Sequence, residues 1–241
     1  MKGLKSFAGA LSVALLVSGC NMNNTTKGGL IGGAGGGALG AGLGAAIGAL
    51  AGGSNGAKLG AAIGAGVGVA GGTTAGILIG KKMDKAKAAA EAVSDAQVET
   101  ITDKNGLEGI KVTFDNGILF KVGKSDLQAK AQNSLRQFAN NVLNVYTDCD
   151  VAIYGFASSD GSDATNLTLS QSRANSVKAF LLGSCGVNSK QIKGATGLGE
   201  DPQYLIYDAN GKEDVHASRR VEVYLYASEA MINAANAGTL Q

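Results

Sequence analysis

The sequence predicts an α+β domain over residues 98–241, with the order β-α-β-α-β-β and helices on one face of a mixed sheet. Two observations predict this class. Short runs of alternating apolar residues recur from residue 98 onward, and the longer segments between them repeat apolar residues at helical spacing. About 140 residues suffice for one hydrophobic core. Ahead of this domain, a glycine-rich stretch predicts a helical hairpin.

The first 19 residues have the pattern of a secretory signal peptide. Lys2 and Lys5 precede an apolar run over 7–17, which is shorter than the roughly 20 residues of a membrane span. The segment ends in LVSGC, which resembles the lipobox of bacterial lipoproteins. This resemblance implies cleavage before Cys20 and acylation, including palmitate, at that residue. An uncleaved N-terminal membrane helix is the alternative.

Residues 20–27 are polar and predict a lipidated tether, and residues 28–80 hold more than half of the chain's 38 glycines. Glycine recurs every fourth residue over 32–52 and again over 56–80, so each half would present one side-chain-free helix face. Tandem Gly-x-x-x-Gly lets two backbones approach closely in an apolar medium. The region resembles the glycine zippers of bacterial envelope lipoproteins, and a flexible linker is the alternative.

The remaining elements follow in order. Residues 81–97 are rich in Ala and Lys and predict a helical spacer. Apolar and polar residues alternate on both sides of Asn105-Gly106, which predicts a β-hairpin, and residues 116–122 predict a strand. A helix is expected from a cap at Ser125 or Asp126.

In the second half of the domain, predicted strands and a predicted helix again follow one another. A strand is expected over 149–157, then a helix that begins at Ser170, then a short strand near 192 and a last strand over 218–227. Val177, Phe180 and Leu181 would form the core face of that helix.

Charge and cysteine usage exclude several classes of protein. The net charge is +2 and falls to zero without the signal peptide, so the sequence gives no reason to expect a nucleic-acid partner. The single histidine, His216, argues against a histidine-based hydrolase. Cys149 and Cys185 would remain as a pair after lipidation of Cys20, which predicts a disulfide in an exported protein. Two buried free thiols are the alternative.

The polar segment between the strand at 149–157 and the following helix holds the candidate binding residues. Ser158, Ser159, Asp160 and Asn166 precede Arg173 on the helix. A carboxylate with a guanidinium suits a zwitterionic ligand, because one binds an ammonium group and the other a carboxylate. A purely structural polar loop is the alternative. The acidic stretches here and at 208–214 are read as turns, and neither a metal ion nor a cofactor is predicted.

The motifs GF, LSQSRANSV, GATGLGEDP and SRRVEVYL resemble the OmpA C-terminal-like domain across roughly residues 112–226. The resemblance implies a non-enzymatic domain that binds the diaminopimelate of peptidoglycan stem peptides. Arg173 then matches the arginine that holds a diaminopimelate carboxylate, and Arg219 matches the first arginine of the Arg-Arg pair. Asn166, Leu169 and Ser170 match the Asn-x-x-Leu-Ser motif.

The sequence departs from this family pattern at several positions. Ser158 stands where the family has its ligand-binding aspartate, Ala157 replaces the preceding threonine, and Ser218 replaces the asparagine before the arginine pair. Since serine carries no charge, we hypothesise that Asp160 supplies the carboxylate from a reshaped loop.

These features predict an outer-membrane lipoprotein that faces the periplasm, is anchored through acylated Cys20 and binds peptidoglycan without covalent attachment. Asn21 follows the lipidated cysteine, where aspartate is associated with inner-membrane retention. The alternative is an oligomeric glycine-zipper assembly or pore component, a homo-oligomer whose C-terminal domain has lost or altered its wall binding.

Overall fold

The computed structural model describes residues 73–102 and 108–240. The predicted signal peptide, Cys20, the tether, residues 28–72 of the glycine-rich region and the Asn105-Gly106 turn lie outside these residues. The helices are α1 (Thr74–Glu91), α2 (Asn116–Leu119), α3 (Ala129–Phe138), α4 (Asp163–Cys185), α5 (Val215–Ser218) and α6 (Glu229–Asn236). The strands are β1 (Ala96–Thr102), β2 (Glu108–Asp115), β3 (Cys149–Phe156), β4 (Ile192–Gly197) and β5 (Arg220–Ala227).

The five strands form one mixed sheet in the order β1-β2-β5-β3-β4. β1 pairs antiparallel with β2, β2 with β5, and β5 with β3, whereas β3 and β4 are parallel. Because α4 connects the two parallel strands, it crosses back over the sheet from the end of β3 to the start of β4. The predicted α+β class and the succession β-α-β-α-β-β are confirmed, and β1 and β2 pair antiparallel as expected for the predicted hairpin.

One face of the sheet carries the main hydrophobic core. Alternate residues of β2, β3 and β5 point to this face, and the helices α1, α3, α4 and α6 cover it. Val223 lies at its centre, opposite Val112 on one neighbouring strand and Ile153 on the other, and all three are fully buried. Period-two alternation in these strands thus produces a single helix-covered face.

The opposite face has a smaller aromatic cluster. Tyr154, Phe156 and Tyr226 are buried there, with Tyr204 and Tyr224 packed against them. The rings of Tyr154 and Tyr224 meet edge to face at 5.5 Å, a favoured arrangement of aromatic pairs. The segment between β4 and β5 contributes Tyr204 and so lies against this face.

α1 begins inside the predicted glycine-rich region and is packed rather than extended as a spacer. The Thr73 side chain accepts a hydrogen bond from the backbone N–H of Gly76 and caps the helix. Ile79, Met83 and Ala86 are buried against the sheet and α6. Lys82 forms an ion pair with Asp148 at 2.7 Å, beside the start of β3. The apolar face of the helix therefore belongs to the core of the domain.

Two predicted elements differ in the structure. The predicted strand at 116–122 is wrong, because the Asp115 side chain accepts a hydrogen bond from Gly117 N–H and turns the chain out of the sheet into α2. The predicted cap at Ser125 or Asp126 is also wrong. Leu127 instead forms an isolated antiparallel β-bridge with Phe120, so α3 begins only after Gln128. The helix then continues as a π-helix over Ala139–Leu143.

Ser170 does not cap α4. The cap lies eight residues earlier, at Ser162, whose side chain accepts a hydrogen bond from Thr165 N–H. Ser170 is fully buried within the helix, where its hydroxyl donates to Leu167 C=O and accepts from Gly199 N–H. Val177 and Leu181 are buried as predicted, and Phe180 packs partly buried against the core.

The predicted disulfide is wrong in the structure, where Cys149 and Cys185 are free thiols. The Cys149 thiol is buried at the start of β3, with its sulfur 3.9 Å from the sulfur of Met83 on α1. Burial, with the charge of Asp148, raises the pKa of Cys149 to about 12, so this thiol stays protonated at neutral pH.

No helix within residues 73–102 and 108–240 combines the length and apolar character needed to cross a bilayer.

Candidate functional site

The loop of residues 157–162, hereafter the β3–α4 loop, lies at the end of the sheet where β3 and β4 finish and β5 begins. Two glycines set its position. A Cβ atom on Gly155 would overlap the backbone of Ser170, and one on Gly197 would overlap the backbone of Gln171. Because these glycines have no side chains, α4 rests directly on β3 and β4. The helix start is thereby held against the strand ends.

Asn166 organises the β3–α4 loop from the first turn of α4. It is buried, and its side-chain amide donates to the carbonyls of Ser158 at 3.1 Å and Asp160 at 2.9 Å, and to the carboxylate of Glu200. The amide donors of Asn166 are therefore used within the protein. Asn166 fixes the loop rather than presenting these donors to a ligand.

The two serines of the β3–α4 loop occupy different environments. Ser158 is only 2% exposed, and its hydroxyl donates to Asp160 across a long 3.5 Å contact. Ser159 is exposed and binds Glu213 twice: its backbone N–H donates at 3.2 Å and its hydroxyl donates to the second carboxylate oxygen. Glu213 is therefore tied to this loop from a distant part of the chain.

Four carboxylates surround the β3–α4 loop. Asp160 and Asp163 are exposed, and Glu200 and Glu213 are half-buried. The hydrogen bond from Asn166 lowers the pKa of Glu200, but the hydrogen bond with Asp163, partial burial and nearby negative charge raise it above its ordinary value overall. This side of the site is therefore strongly negative and suits a cationic group.

Arg173 is the buried cation of the site. It is only 3% exposed, its Nε donates to Lys124 C=O at 3.0 Å, and its guanidinium lies 5.3 Å from the Phe120 ring centre. Burial, and then the charge of Arg219, lower its pKa to about 10, which leaves it positive at neutral pH. Phe120 and Lys124 belong to the segment after α2. Because the chain leaves the sheet before α2, these two residues lie beside Arg173.

Arg219 lies half-buried at the end of α5, close enough for its charge to act on Arg173. Its Nε donates to Val215 C=O at 3.1 Å. Two like charges brought together in this way destabilise one another, and a bound anion relieves the repulsion. Leu169, the remaining predicted residue, is half-buried on α4 just before Ser170.

Arg220 supports Arg219 from the other side of the sheet. The Arg220 side chain is buried, pairs with Glu222 at 2.7 Å and donates to the carbonyls of Ser218 and Tyr204 at 3.2 Å. Its guanidinium also lies 4.0 Å from the Phe156 ring centre, a cation–π contact. The backbone next to Arg219 is therefore anchored within the aromatic cluster.

Three further residues with contacts at or beside the site were not predicted from the sequence: His216, Glu200 and Glu213. The His216 side chain is 70% exposed, and its Nδ1 lies 2.9 Å from a carboxylate oxygen of Asp115, which joins α5 to the end of β2. Glu200 and Glu213 were not recognised, because their partners Asn166 and Ser159 lie 34 and 54 residues away along the chain. Among the described residues, no three His, Cys, Asp or Glu side chains form a group able to hold a metal ion.

The C-terminal part of the chain is similar in sequence to known proteins. Residues 119–220 match the model of the OmpA family. Outer membrane protein A of Salmonella typhi is 38% identical over 89 residues, which are 36% of this chain and 25% of that protein. Probable lipoprotein YiaD of Escherichia coli K12 is 33% identical over 140 residues, which are 54% of this chain and 62% of that protein. The chain thus spans less than two thirds of each of these relatives.

Two solved structures show a partial similarity to this chain, with TM-scores below 0.5. A putative MotB-like protein from Desulfovibrio vulgaris has a TM-score of 0.49 at 21% identity, covering 65% of this chain and 97% of that one. The peptidoglycan-associated lipoprotein from Burkholderia pseudomallei has a TM-score of 0.37 at 27% identity, covering 45% of this chain and 87% of that one. The C-terminal part of the chain thus contains a five-stranded mixed sheet, and residues 119–220 within it are similar to the OmpA family.

Proposed function

We propose that this OmpA-like domain binds the stem peptide of peptidoglycan without covalent attachment or catalysis, and that the chain holds the cell wall to the outer membrane. The observation that carries the proposal is that buried Arg173 lies near Arg219, while four carboxylates surround the β3–α4 loop that precedes the helix of Arg173. A diaminopimelate side chain ends in both an ammonium and a carboxylate, so each end meets the opposite charge.

Arg173 and Arg219 bind the ligand carboxylate in this proposal. Arg173 is fixed by Lys124 C=O and by Phe120, so little conformational freedom is lost when the ligand binds. Asp160 provides the carboxylate that the family pattern places at the position of Ser158. Its side chain is exposed at the mouth of the loop, while its own carbonyl is held by Asn166.

Attachment to the membrane rests on the N-terminal part of the chain. The LVSGC motif supports acylation at Cys20, and the alignment with a probable lipoprotein supports an envelope location. In this proposal the glycine-rich region lies in or against the outer membrane, and the OmpA-like domain extends into the periplasm.

The first test is co-sedimentation of the full chain, in detergent, with diaminopimelate-type sacculi. We expect Arg173→Ala and Arg219→Ala to weaken binding about 10- to 100-fold, because each removes a charged hydrogen-bond donor. Arg136→Ala is the matched control, since Arg136 is exposed on α3 and stacks on Phe180. Melting curves of all variants exclude loss of fold. Wild-type protein that stays in the supernatant would refute the proposal and favour the glycine-zipper assembly.

The role of Asp160 has its own test in the same assay. We expect Asp160→Asn to weaken wall binding several-fold, because a neutral amide no longer attracts the ammonium group. Asp163→Asn, one turn away at the start of α4, is expected to leave binding nearly unchanged, since its side chain interacts with Glu200. Equal and negligible effects of the two substitutions would eliminate this role for Asp160.

A further inference from the structure

Residues 205–214, hereafter the finger, form a short two-stranded ribbon beside the candidate site. Asp208 N–H donates to Lys212 C=O at 2.8 Å, Asp214 N–H donates to Ile206 C=O at 2.8 Å, and Tyr207 forms an isolated antiparallel β-bridge with Glu213. The turn is closed by the Asp208 side chain, which accepts from the N–H groups of Asn210 and Lys212. The finger is therefore a defined structure, although it is almost wholly exposed.

Two contacts fix the finger against the site. At its base, the buried Ser218 hydroxyl accepts a hydrogen bond from Ile206 N–H at 2.9 Å. Along its returning strand, the Glu213 carboxylate accepts from Ser159 N–H and Oγ. The returning strand consequently runs beside the β3–α4 loop.

The finger exposes an aromatic ring next to this loop. Tyr207 is 43% exposed and its neighbour Ile206 is 38% exposed. Residues directly opposite each other in an antiparallel pair direct their side chains to the same face. Because Tyr207 is opposite Glu213, its ring lies on the face of the finger that meets Ser159. Exposed polar residues surround it at the turn: Asp208, Asn210 and Lys212.

We propose that Tyr207 is a stacking platform for a sugar ring of the glycan strand, beside the subsite for the stem peptide. This inference rests on the proposed function. A pyranose ring has C–H groups on its faces and hydroxyls at its edges, so it matches an aromatic face with polar neighbours. The backbone of Tyr207 is already held by its pairing with Glu213, so binding orders little more than one side chain.

The dimensions support a sugar in preference to a protein. The apolar surface on this face of the finger is the Tyr207 ring, because adjacent Ile206 directs its side chain to the opposite face, whereas a specific protein interface buries about 800 Å² on each partner. In the wall polymer, two residues of the stem peptide separate diaminopimelate from the sugar, a reach of about 10 Å when extended. A stem peptide held at the β3–α4 loop therefore brings its sugar within range of the neighbouring finger.

The test compares two soluble probes on the full chain in detergent, by titration calorimetry. One is the diaminopimelate-containing tetrapeptide without sugar, and the other is the same tetrapeptide on its disaccharide. We expect the wild type to bind the disaccharide form about fivefold more tightly, within the range of one aromatic contact. Tyr207→Ala should remove this gain and leave the affinity for the free tetrapeptide unchanged. Tyr207→Phe should retain the gain, because the ring face is kept.

A control and the contrary outcomes complete the design. Val145→Ala removes an apolar side chain that is 61% exposed after the π-helix, outside the finger and the β3–α4 loop, and should change neither affinity. Equal wild-type affinities for the two probes would overturn the proposed sugar contact. The exposed Tyr207 ring would then indicate a contact with a protein partner. Equal weakening of both probes by Tyr207→Ala would also overturn it. Failure of both probes to bind the wild type would instead refute the proposed function itself.

Discussion

Arg219 and Arg220 are adjacent in the sequence but serve different faces of the sheet. Arg219 lies at the candidate site near Arg173, whereas Arg220 is buried in an ion pair with Glu222. Tyr224 also donates a hydrogen bond to Glu222 at 2.6 Å. This network makes a buried charge tolerable, because each oxygen of the carboxylate has a partner.

The same network makes stability depend on pH. Burial raises the pKa of Glu222, but the charges of Arg220 and Lys111 and the hydrogen bonds from Tyr224 and Arg220 hold it below its ordinary value of 4.5. A carboxylate with a lowered pKa in the folded state stabilises the fold fully above its unfolded value, and this stabilisation is lost as the pH falls through the lowered pKa. We therefore expect the urea midpoint of the wild type to fall on acidification below about pH 4.5.

Glu222→Gln removes the titrating group of this network. We expect this variant to be less stable at pH 7, because Arg220 keeps only a neutral partner, and to lose less stability than the wild type on acidification. Glu91→Gln, which changes an exposed i,i+4 partner of Lys87, should retain the wild-type dependence. Urea unfolding followed by circular dichroism at pH 3 and pH 7 measures both effects. Parallel pH dependence in wild type and Glu222→Gln would contradict the assignment.

The sequence predicted some residues of the candidate site and could not predict others. Arg173 and Asn166 lie in one helix motif, and the resemblance of that motif to the family pattern indicated them. Glu213 reaches Ser159 only because the finger folds back, and Glu200 reaches Asn166 only because α4 rests on β4. Contacts that depend on two loops meeting in space leave no local pattern in the sequence.

At the level of elements, the crossing of α4 over β3 and β4 depends on Gly155 and Gly197. We expect Gly155→Ala or Gly197→Ala to destabilise the domain by about 3 kcal/mol or more, since the new methyl group overlaps the helix backbone. Gly194→Ala is the matched control on β4, because a Cβ there meets open space. Urea unfolding at equilibrium measures the three variants. Similar stabilities of Gly197→Ala and Gly194→Ala would show that the helix can move away at little cost.

Element prediction succeeded where local signals agreed and failed where tertiary contacts decided. The β1–β2 hairpin, β3, β4 and β5 followed from alternation, which the sheet preserves. The strand expected at 116–122 has suitable apolar residues, but Leu119 and Phe120 are buried after a turn at Asp115. α6 was not predicted at all, although Ser228 caps it and it packs against α1.

For the molecule as a whole, the position of α1 changes the extent of the folded unit. The sequence predicted a domain from residue 98, yet Ile79 and Met83 on α1 are buried in the common core. A fragment of residues 98–241 lacks the apolar side chains of α1. We expect its free energy of unfolding to be lower by about 5 kcal/mol, which is comparable with the whole stability of a small domain. A fragment of residues 73–241 should retain this contribution to stability.

Thermal unfolding and binding of a hydrophobic dye distinguish these two fragments. The longer one should melt cooperatively, and the shorter one should bind the dye and melt at a lower temperature or without a transition. A cooperative transition of the shorter fragment at the same temperature would show that α1 contributes nothing to the core.

The direction of α1 also decides how the domain would respond to mechanical tension. Lys82 and Met83 contact Asp148 and Cys149 at the start of β3, whereas the candidate site begins where β3 ends. The chain thus enters near one end of the sheet, and the candidate site lies at the other. If the domain joins membrane and wall as proposed, a pull between them would act along the strands and load their hydrogen bonds in shear, which resists rupture better than peeling the bonds apart one by one.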